Sequence, residues 1–335
     1  MDESTKFFYE LTPHTILDAV EEIGVRCTGR ALALNSMENR VYEVEVEVDD
    51  PQTFQSRFDA YRVVKFYRPG RWSREQILEE HEFLFELAAN DIPVVCPIRF
   101  SDGSSLRELA NKEIYYAVFP KVGGRNLDEL NREQLQAVGR LLARMHNVGA
   151  SHGAKQRLAL TTKTYGEESL ELLLRSEHFP SELHESFSHL VRSLCTITES
   201  LLRDFPSQRV HGDFHVGNVL WVDERCFVVD FDDMVVAPPV QDIWLIQPGR
   251  DSYALEQRDV LLEAYETLRN FDRSSLVLIE PLRALRIIRF SAWIAQRWSD
   301  PAFPRVFHEF GTPKYWREQI GALQEQLQIL HGAEL

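Results

Sequence analysis

The sequence predicts an α+β chain, with a β-rich N-terminal part and a mainly helical C-terminal part. Three observations predict it. Tyr42, Val44, Val46 and Val48 alternate strictly with Glu43, Glu45 and Glu47, the period of a half-buried antiparallel strand. Two further strand-like runs, RVVKFY at 62–67 and IYYAVF at 114–119, are followed by Pro120 and Gly123-Gly124. Beyond that point apolar residues recur at helical spacing, interrupted by a single β-rich island at 208–230.

Each element has a local reason. Thr12 caps a first helix, Pro13 suits its first turn, Ile16, Leu17, Val20 and Ile23 share one face, and Gly24 ends it. Residues 50–60 read as a turn or loop. Ser73 opens the next helix, with Gln76 three residues on as its capping-box partner, and Ile77, Leu78, Phe83, Leu84, Leu87 and Ala88 continue it. Residues 91–100 are extended and punctuated by Pro93 and Pro97. The boundary falls at 120, giving parts 1–120 and 121–335. Helices are expected near 131–148, 167–175, 181–204, 253–270, 274–298 and 313–330.

Composition narrows the class. The chain has 335 residues, and 37 Lys plus Arg against 52 Asp plus Glu leave a net charge of −15. At about 100–200 residues per domain, two units are the default. With 44% hydrophobic residues the chain can bury a large core, which excludes disorder as the main state. The acidic balance argues against a nucleic-acid partner. No apolar run approaches the roughly 18–20 residues of a membrane span. The opening MDESTKFFYELTPH is acidic and lacks the apolar core of a secretory signal. Cys27, Cys96, Cys195 and Cys226 are far apart, with no zinc spacing, which fits reduced thiols in a cytoplasmic protein.

The chemistry concentrates in the island RVHGDFHVGNVLWVDERCFVVDFDD. Strands Val219–Val222 and Phe227–Val229 flank the turn Asp223-Glu224-Arg225, a hairpin within helical surroundings. Asp213 lies on the preceding loop, Asn218 starts the first strand, and Asp230 leaves the second. Folding back brings Asn218 and Asp230 together. A carboxylate and an amide carbonyl are hard oxygen ligands suited to Mg²⁺ with waters and nucleotide phosphates.

This arrangement resembles the catalytic loop and metal aspartate of protein-kinase-like phosphotransferases, in the His-Gly-Asp form of the aminoglycoside phosphotransferase and choline kinase branch. The stretches LNSMENRVYEVE, VVKFYRPGRWSREQILEEHEF, YYAVFPKVGGR, HGDFHVGNVLW, EPLRALR and RWSDPAFP are similar to the bacterial stress response kinase A family over nearly the whole chain. The resemblance implies a bilobal protein-kinase-like fold. Its N-lobe, 1–120, would be β-rich with a regulatory-type helix and would bind ATP phosphates. Its mainly α-helical C-lobe, 121–335, would carry the catalytic loop, the metal site and the substrate site.

The activity implied is Mg²⁺- and ATP-dependent serine/threonine protein phosphorylation in stress response and cell survival. The partners are ATP and a protein substrate, with autophosphorylation left open, in a cytoplasmic monomer without nucleic acid or membrane. Carried over, Asp213 accepts the hydroxyl proton, Asn218 and Asp230 bind Mg²⁺, and His211 supports the loop. Lys65 holds the α/β-phosphates, with Glu80 favoured as its helix partner and Glu79 as the alternative. There is no Gly-rich phosphate loop. Ser36 and Asn39, in the turn between the first two strands, are candidates to bond phosphate oxygens, although a Ser/Asn turn is also ordinary turn chemistry. A serine matching Ser36 is tied to ATP binding in that family. Segment 118–123, with Phe119 and Val122, is the expected adenine hinge. Only twelve positions separate Asp230 from Asp242, too few for an activation loop. Asp242, in Gln241-Asp242-Ile243-Trp244, is expected to bond the backbone near His211.

Two other readings compete. One is a small-molecule phosphotransferase for an amino sugar, choline or amino alcohol, with Asp232 and Asp233 receiving the cation. The other is a regulatory module without catalysis, disfavoured because the whole residue set is present. Arg283, Arg286 and Arg289 recur on one predicted helix, with Arg297 further along, either as a dock for phosphate or an acidic peptide or as a solvated face. Trp293, Trp298 and Trp316 read as core.

Overall fold

The computed structural model of the chain describes residues 8, 11–47, 56–109, 113–222 and 225–333. The N-terminal decapeptide apart from Phe8, the segment 48–55 with Val48, and the turn residues Asp223 and Glu224 lie outside them.

In chain order the first elements are α1 (Pro13–Glu21), β1 (Cys27–Leu34), β2 (Arg40–Val46), β3 (Tyr61–Phe66), α2 (Arg74–Ala89), β4 (Arg107–Glu108) and β5 (Tyr115–Pro120). Next come α3 (Arg132–Ser151), α4 (Glu168–Leu174), α5 (His184–Leu202), β6 (Gln208–Val210), β7 (Val219–Val222), β8 (Arg225–Val228) and β9 (Val235–Ala237). The rest is helical: α6 (Val240–Ile246), α7 (Ser252–Glu266), α8 (Ile279–Arg297), α9 (Ala302–Val306) and α10 (Pro313–Ala333). The expected helices appear as α3, α4, α5, α7, α8 and α10. Among the described residues no helix is long and apolar enough to cross a membrane. The four cysteines are free thiols.

Contacts group the chain into two compact units. The first is Met1–Gln134 with Lys155–Arg157 and His215–Asp233; the second is Leu135–Ala154, Leu158–Phe214 and Met234–Leu335. This differs from a division at 120 mainly in the hairpin β7–β8, which joins the N-terminal unit. The backbone explains why. Trp221 exchanges both backbone hydrogen bonds with Arg125, at 2.9 and 3.0 Å, and the Val228 amide donates to Pro93 O at 2.9 Å. Segment 215–233 is thus stitched to the N-terminal chain on both strands.

In the first unit the strands form an antiparallel sheet of order β1-β2-β3-β5-β4. Thr12 Oγ1 caps α1 and Gly24 leaves it at φ +88°, as the sequence predicts. Ser73 and Gln76 form the expected capping box on α2. The two-residue period of a strand sorts the side chains by face. Val44, Val46, Val64, Phe66, Tyr116 and Val118 pack with Ile16 and Val20 of α1. Lys65, between Val64 and Phe66, must therefore face the other side. There its register partner Ala117 packs with Tyr67, Ile77 of α2 and Leu106.

The second unit is a helical assembly in which α8 packs against α4, α5 and α10. Trp316 is fully buried, meeting the rings of Phe179, Phe187 and Phe310. Trp298 stacks nearby on His178 and Phe310. The tryptophans thus serve packing, as expected. Helices α3 and α7 touch through a glycine: a Cβ on Gly139 would lie 2.2 Å from Leu261 O and 3.2 Å from Ala264 Cβ. Backbone cannot yield as a flexible side chain does, so Gly139→Ala is expected to destabilise the chain by about 1–3 kcal/mol in urea unfolding, an overpacking effect. A neutral result would mean that the two helices slide apart freely.

Candidate active site

The N-terminal unit holds a buried cluster of charges. Lys65 Nζ lies 2.9 Å from Asp232 Oδ1 and 3.5 Å from Asp230 Oδ1. Asp232 also accepts from Asn39 Nδ2 at 2.9 Å and pairs with Arg71, whose guanidinium extends to Asp233 at 2.6 Å. The turn at 35–39 is held from beneath: Arg68 Nε bonds Glu38 O at 2.9 Å and Glu38 Oε1 at 3.2 Å, and Asn39 Oδ1 accepts from the Arg68 amide at 3.0 Å. The Asn39 amide is thereby engaged at both ends. Ser36 is half-buried at the same turn, and its Oγ accepts from Asn39 N at 3.3 Å.

The expected Lys65–Glu80 pair does not form. Glu80 is buried, and its Oε2 pairs instead with Arg157 Nη2 at 2.9 Å. The same nitrogen donates to Phe231 O at 3.2 Å and Asp232 O at 3.0 Å. The guanidinium lies 4.4 Å over the Trp72 ring. Glu79, the alternative, accepts from the backbone amides of Lys155, Gln156 and Arg157 at 2.6–2.8 Å. Two adjacent carboxylates of α2 thus clamp the 155–157 segment, one by its backbone and one by its side chain. With Lys65 already held by two aspartates and Arg157 supplying a second buried cation, Glu80 goes to the arginine.

Electrostatics reflect burial and pairing. Burial alone would pull the Lys65 ammonium down, but Asp232 and Asp230, with Glu80 behind them, hold its pKa well above the usual lysine value. Burial works against the Asp232 carboxylate too, yet Lys65 and Arg71 outweigh it and hold its pKa below the usual range. Glu80 goes the other way: burial pushes it up to about 7, only partly offset by Lys65 and Arg157. Beside it, burial and the nearby cations lower the His81 pKa to about 3. That ring lies between Tyr67 Oη and Ser105 Oγ, each at 2.9 Å.

The hairpin places the metal candidates. Asn218 precedes β7 and its carbonyl accepts from Val229 N at 3.1 Å, so Asn218 and Asp230 leave the same end of the ladder. Asp230 adopts φ +63°, a left-handed conformation uncommon for a residue with a side chain. Its carboxylate is 58% exposed, whereas that of Asp232 is 4% exposed. A carbonyl oxygen and an exposed carboxylate fit a hard cation that keeps waters and phosphate ligands. Phe119 lies one residue before the end of β5, with its ring edge-on to His81, and Val122 follows half-buried.

The second unit carries Asp213. Asp242 is fully buried, and its carboxylate accepts from the amides of His211 and Gly212, each at 2.9 Å, and meets His146 Nε2 at 3.2 Å. This is the expected bond to the backbone near His211. Gly212 has φ +85°, and its carbonyl accepts from Gln241 Nε2 at 2.8 Å. His211 is buried, and its Nδ1 accepts from the Asp213 amide at 3.3 Å. The Asp213 carboxylate pairs with Arg286 Nη1 at 2.8 Å. Sequence reasoning missed Arg71, Arg157 and this use of Arg286. Arg71 and Arg157 sit in irregular segments with no periodicity to mark them, and for Arg286 the arginine row on one helix was the only signal.

Against this geometry, residues 33–277 match the model of the phosphotransferase enzyme family. The chain belongs to that family. It is 40% identical over its whole length, and 98% of the relative's, to stress response kinase A of Escherichia coli K12. It is 39% identical over the same shares to serine/threonine protein kinase RdoA of Salmonella typhimurium LT2. Among solved structures it superposes on amicoumacin kinase hAmiN, bound to AMP-PNP, Ca²⁺ and Ami, with TM-score 0.72, 20% identity and coverage of 98% and 96% of the two chains. The microcompartment-associated aminopropanol kinase gives TM-score 0.67 at 16% identity, with 96% and 97% covered. The fold is therefore kinase-like, with an antiparallel N-terminal sheet and a helical C-terminal part.

The shifted glutamate makes stability depend on pH. Folded Glu80 keeps its proton to about pH 7, whereas an unfolded carboxyl releases it near 4.5. Across that window the folded state binds more protons, so this group's contribution to stability falls as pH rises. Glu80→Gln, which cannot ionise, is expected to gain stability relative to the parent between pH 4.5 and 7 in urea unfolding series. A difference independent of pH would refute the shift.

Proposed function

We propose that the chain is an ATP- and Mg²⁺-dependent serine/threonine protein kinase of the stress response kinase A type, acting in the cytoplasm on a protein hydroxyl. The observation that carries the reading is the contact of the strand lysine with the hairpin aspartates. Lys65 Nζ, Asp232 and Asp230 gather a cation and two carboxylates at one point of the N-terminal unit. That is the chemistry a polyphosphate with a divalent cation requires.

In this reading Lys65 holds phosphate oxygens by charge, and Ser36 adds a hydroxyl donor from the turn at 35–39. Asn218 and Asp230 hold Mg²⁺, which neutralises charge on the transferred phosphoryl group. The hinge at Phe119–Val122 offers backbone groups to the base edge. Asp213 accepts the proton of the attacking hydroxyl while the new O–P bond forms and the bond to the leaving ADP oxygen breaks. Asp242 and His211 are positioning residues, since they grip the loop backbone on both sides of Gly212. Catalysis of this kind is mostly orientation plus electrostatic stabilisation, and the stiffness of these grips supports it.

The small-molecule alternative relied on Asp232 and Asp233 receiving a cationic substrate. Lys65 and Arg71 of the chain itself already engage them. The name of one relative, serine/threonine protein kinase RdoA, also favours a protein acceptor.

Labelled ATP with a protein lysate and with an amine panel tests the assignment. Transfer to protein is expected, with Asp213→Asn reducing it by roughly 10²–10⁴-fold, the usual worth of a general base, while calorimetry still detects Mg·ATP binding. Lys65→Ala is expected to weaken that binding at least about tenfold, the loss of one charge-assisted contact. Faster transfer to an amine than to any protein, or full activity in Asp213→Asn, would overturn the reading.

A further inference from the structure

The helix α8 presents three arginines in a row, and the structure gives them different work. Arg283 is fixed on Glu280 at 3.2 Å and on Pro248 O at 2.6 Å, with its guanidinium over the Trp244 ring. Arg289 donates to Thr164 O at 3.1 Å and lies over the Tyr165 ring. Arg286, between them, turns to Asp213 and remains 43% exposed. A guanidinium therefore stands beside the very carboxylate that the proposed mechanism uses as proton acceptor, in a chain whose net charge is −15.

We infer that Arg286 is a specificity-determining residue that selects acceptor hydroxyls with an anionic group close by: a serine or threonine flanked by a carboxylate or a phosphate. The inference rests on the kinase reading above. A hydroxyl that gives its proton to Asp213 must come within about 3 Å of that carboxylate. Whatever carries the hydroxyl then lies within a side chain's reach of Arg286. The guanidinium has five donors in a planar fork, and one contact to Asp213 leaves an edge to offer. Carboxylate and phosphate match that edge with two parallel hydrogen bonds. An ammonium at the same place meets a like charge, so the same residue rejects cationic acceptors.

Sharing the guanidinium has a second consequence. The Arg286 guanidinium, 2.8 Å from the Asp213 carboxylate, competes with an incoming hydroxyl for that oxygen. A substrate anion that engages the guanidinium frees the carboxylate for the hydroxyl when the proton has to move. The acceptor's neighbour would thus contribute to kcat as well as to KM. A pure docking contact would lower KM alone.

The test uses the full chain and serine peptides of one length with glutamate, phosphoserine, neutral or lysine flanks. Both kcat/KM for transfer from labelled ATP and peptide affinity by fluorescence anisotropy are read. The parent is expected to favour anionic over lysine flanks by about tenfold or more, as one charge-assisted contact would give. Arg286→Ala should erase the preference, Arg286→Glu should reverse it, and Arg286→Lys should keep most of it. The glutamate and phosphoserine arms separate the two sources of the anion. An unchanged preference in Arg286→Glu, or a parent that prefers lysine flanks, overturns the inference. If no peptide is phosphorylated although Mg·ATP binds, the protein-kinase reading fails. Anisotropy then decides this one: anionic-flank binding that reverses in Arg286→Glu supports it, and binding indifferent to flank charge overturns it.

Discussion

The N-terminal unit depends on burying Lys65 without leaving its charge alone. An isolated ammonium taken out of water is too costly for a marginally stable fold, so carboxylates must accompany it. Asp232 does so at 2.9 Å, but Asp232 is buried as well and needs more than one partner, which Arg71 supplies as a second cation and the Asn39 amide as a neutral donor. Glu80 is buried next to them and draws Arg157 inward. Each charge is there because its neighbour is. Removing Lys65, Arg71 or Asp232 leaves an uncompensated ion, which costs far more than the pair itself contributes.

This cluster also separates two aspartates that the sequence makes look alike. Asp230 and Asp232 are two residues apart, yet one carboxylate is 58% exposed and the other 4% exposed. Arg157 fixes the backbone between and beside them by gripping the carbonyls of Phe231 and Asp232, and Asp230 takes up its left-handed conformation at the start of that turn. Asp232 is thereby spent on internal cations, and Asp230 is left with ligand capacity. Environment assigns the roles, as it does wherever neighbouring carboxylates divide acid, base and structural work.

Much of this was legible in the sequence. The alternation at 42–46 and the capping box at Ser73 and Gln76 are local patterns, and local patterns survive folding. The bond from Asp242 to the loop at His211 was legible through resemblance. What failed to show were choices among partners of like charge. Nothing in the order of residues says that Glu80 prefers Arg157, seventy-seven positions away, over Lys65. The preference depends on which cation already has carboxylates, and that is a property of the assembled cluster. The hairpin's membership of the N-terminal unit was hidden for a similar reason, because backbone bonds such as Arg125 to Trp221 leave no side-chain signature.

The two loops that carry candidate aspartates are held by different physics. Asp230 is framed by buried ions, where each distance is tied to a charge balance. The Asp213 loop is held by neutral donors: backbone amides of His211 and Gly212 on one carboxylate, and the Asp213 amide on a buried imidazole. A backbone bond carries no net charge to rearrange, so Asp213 can change its own ionisation during a reaction without loosening its support. In its ion pair with Arg286 the guanidinium is 43% exposed, so water reaches the arginine side of the pair. The proton acceptor proposed at Asp213 needs that combination. Its backbone must stay fixed while its charge is free to change, and the residue that feels the change most is the partner best placed to sense what the acceptor carries.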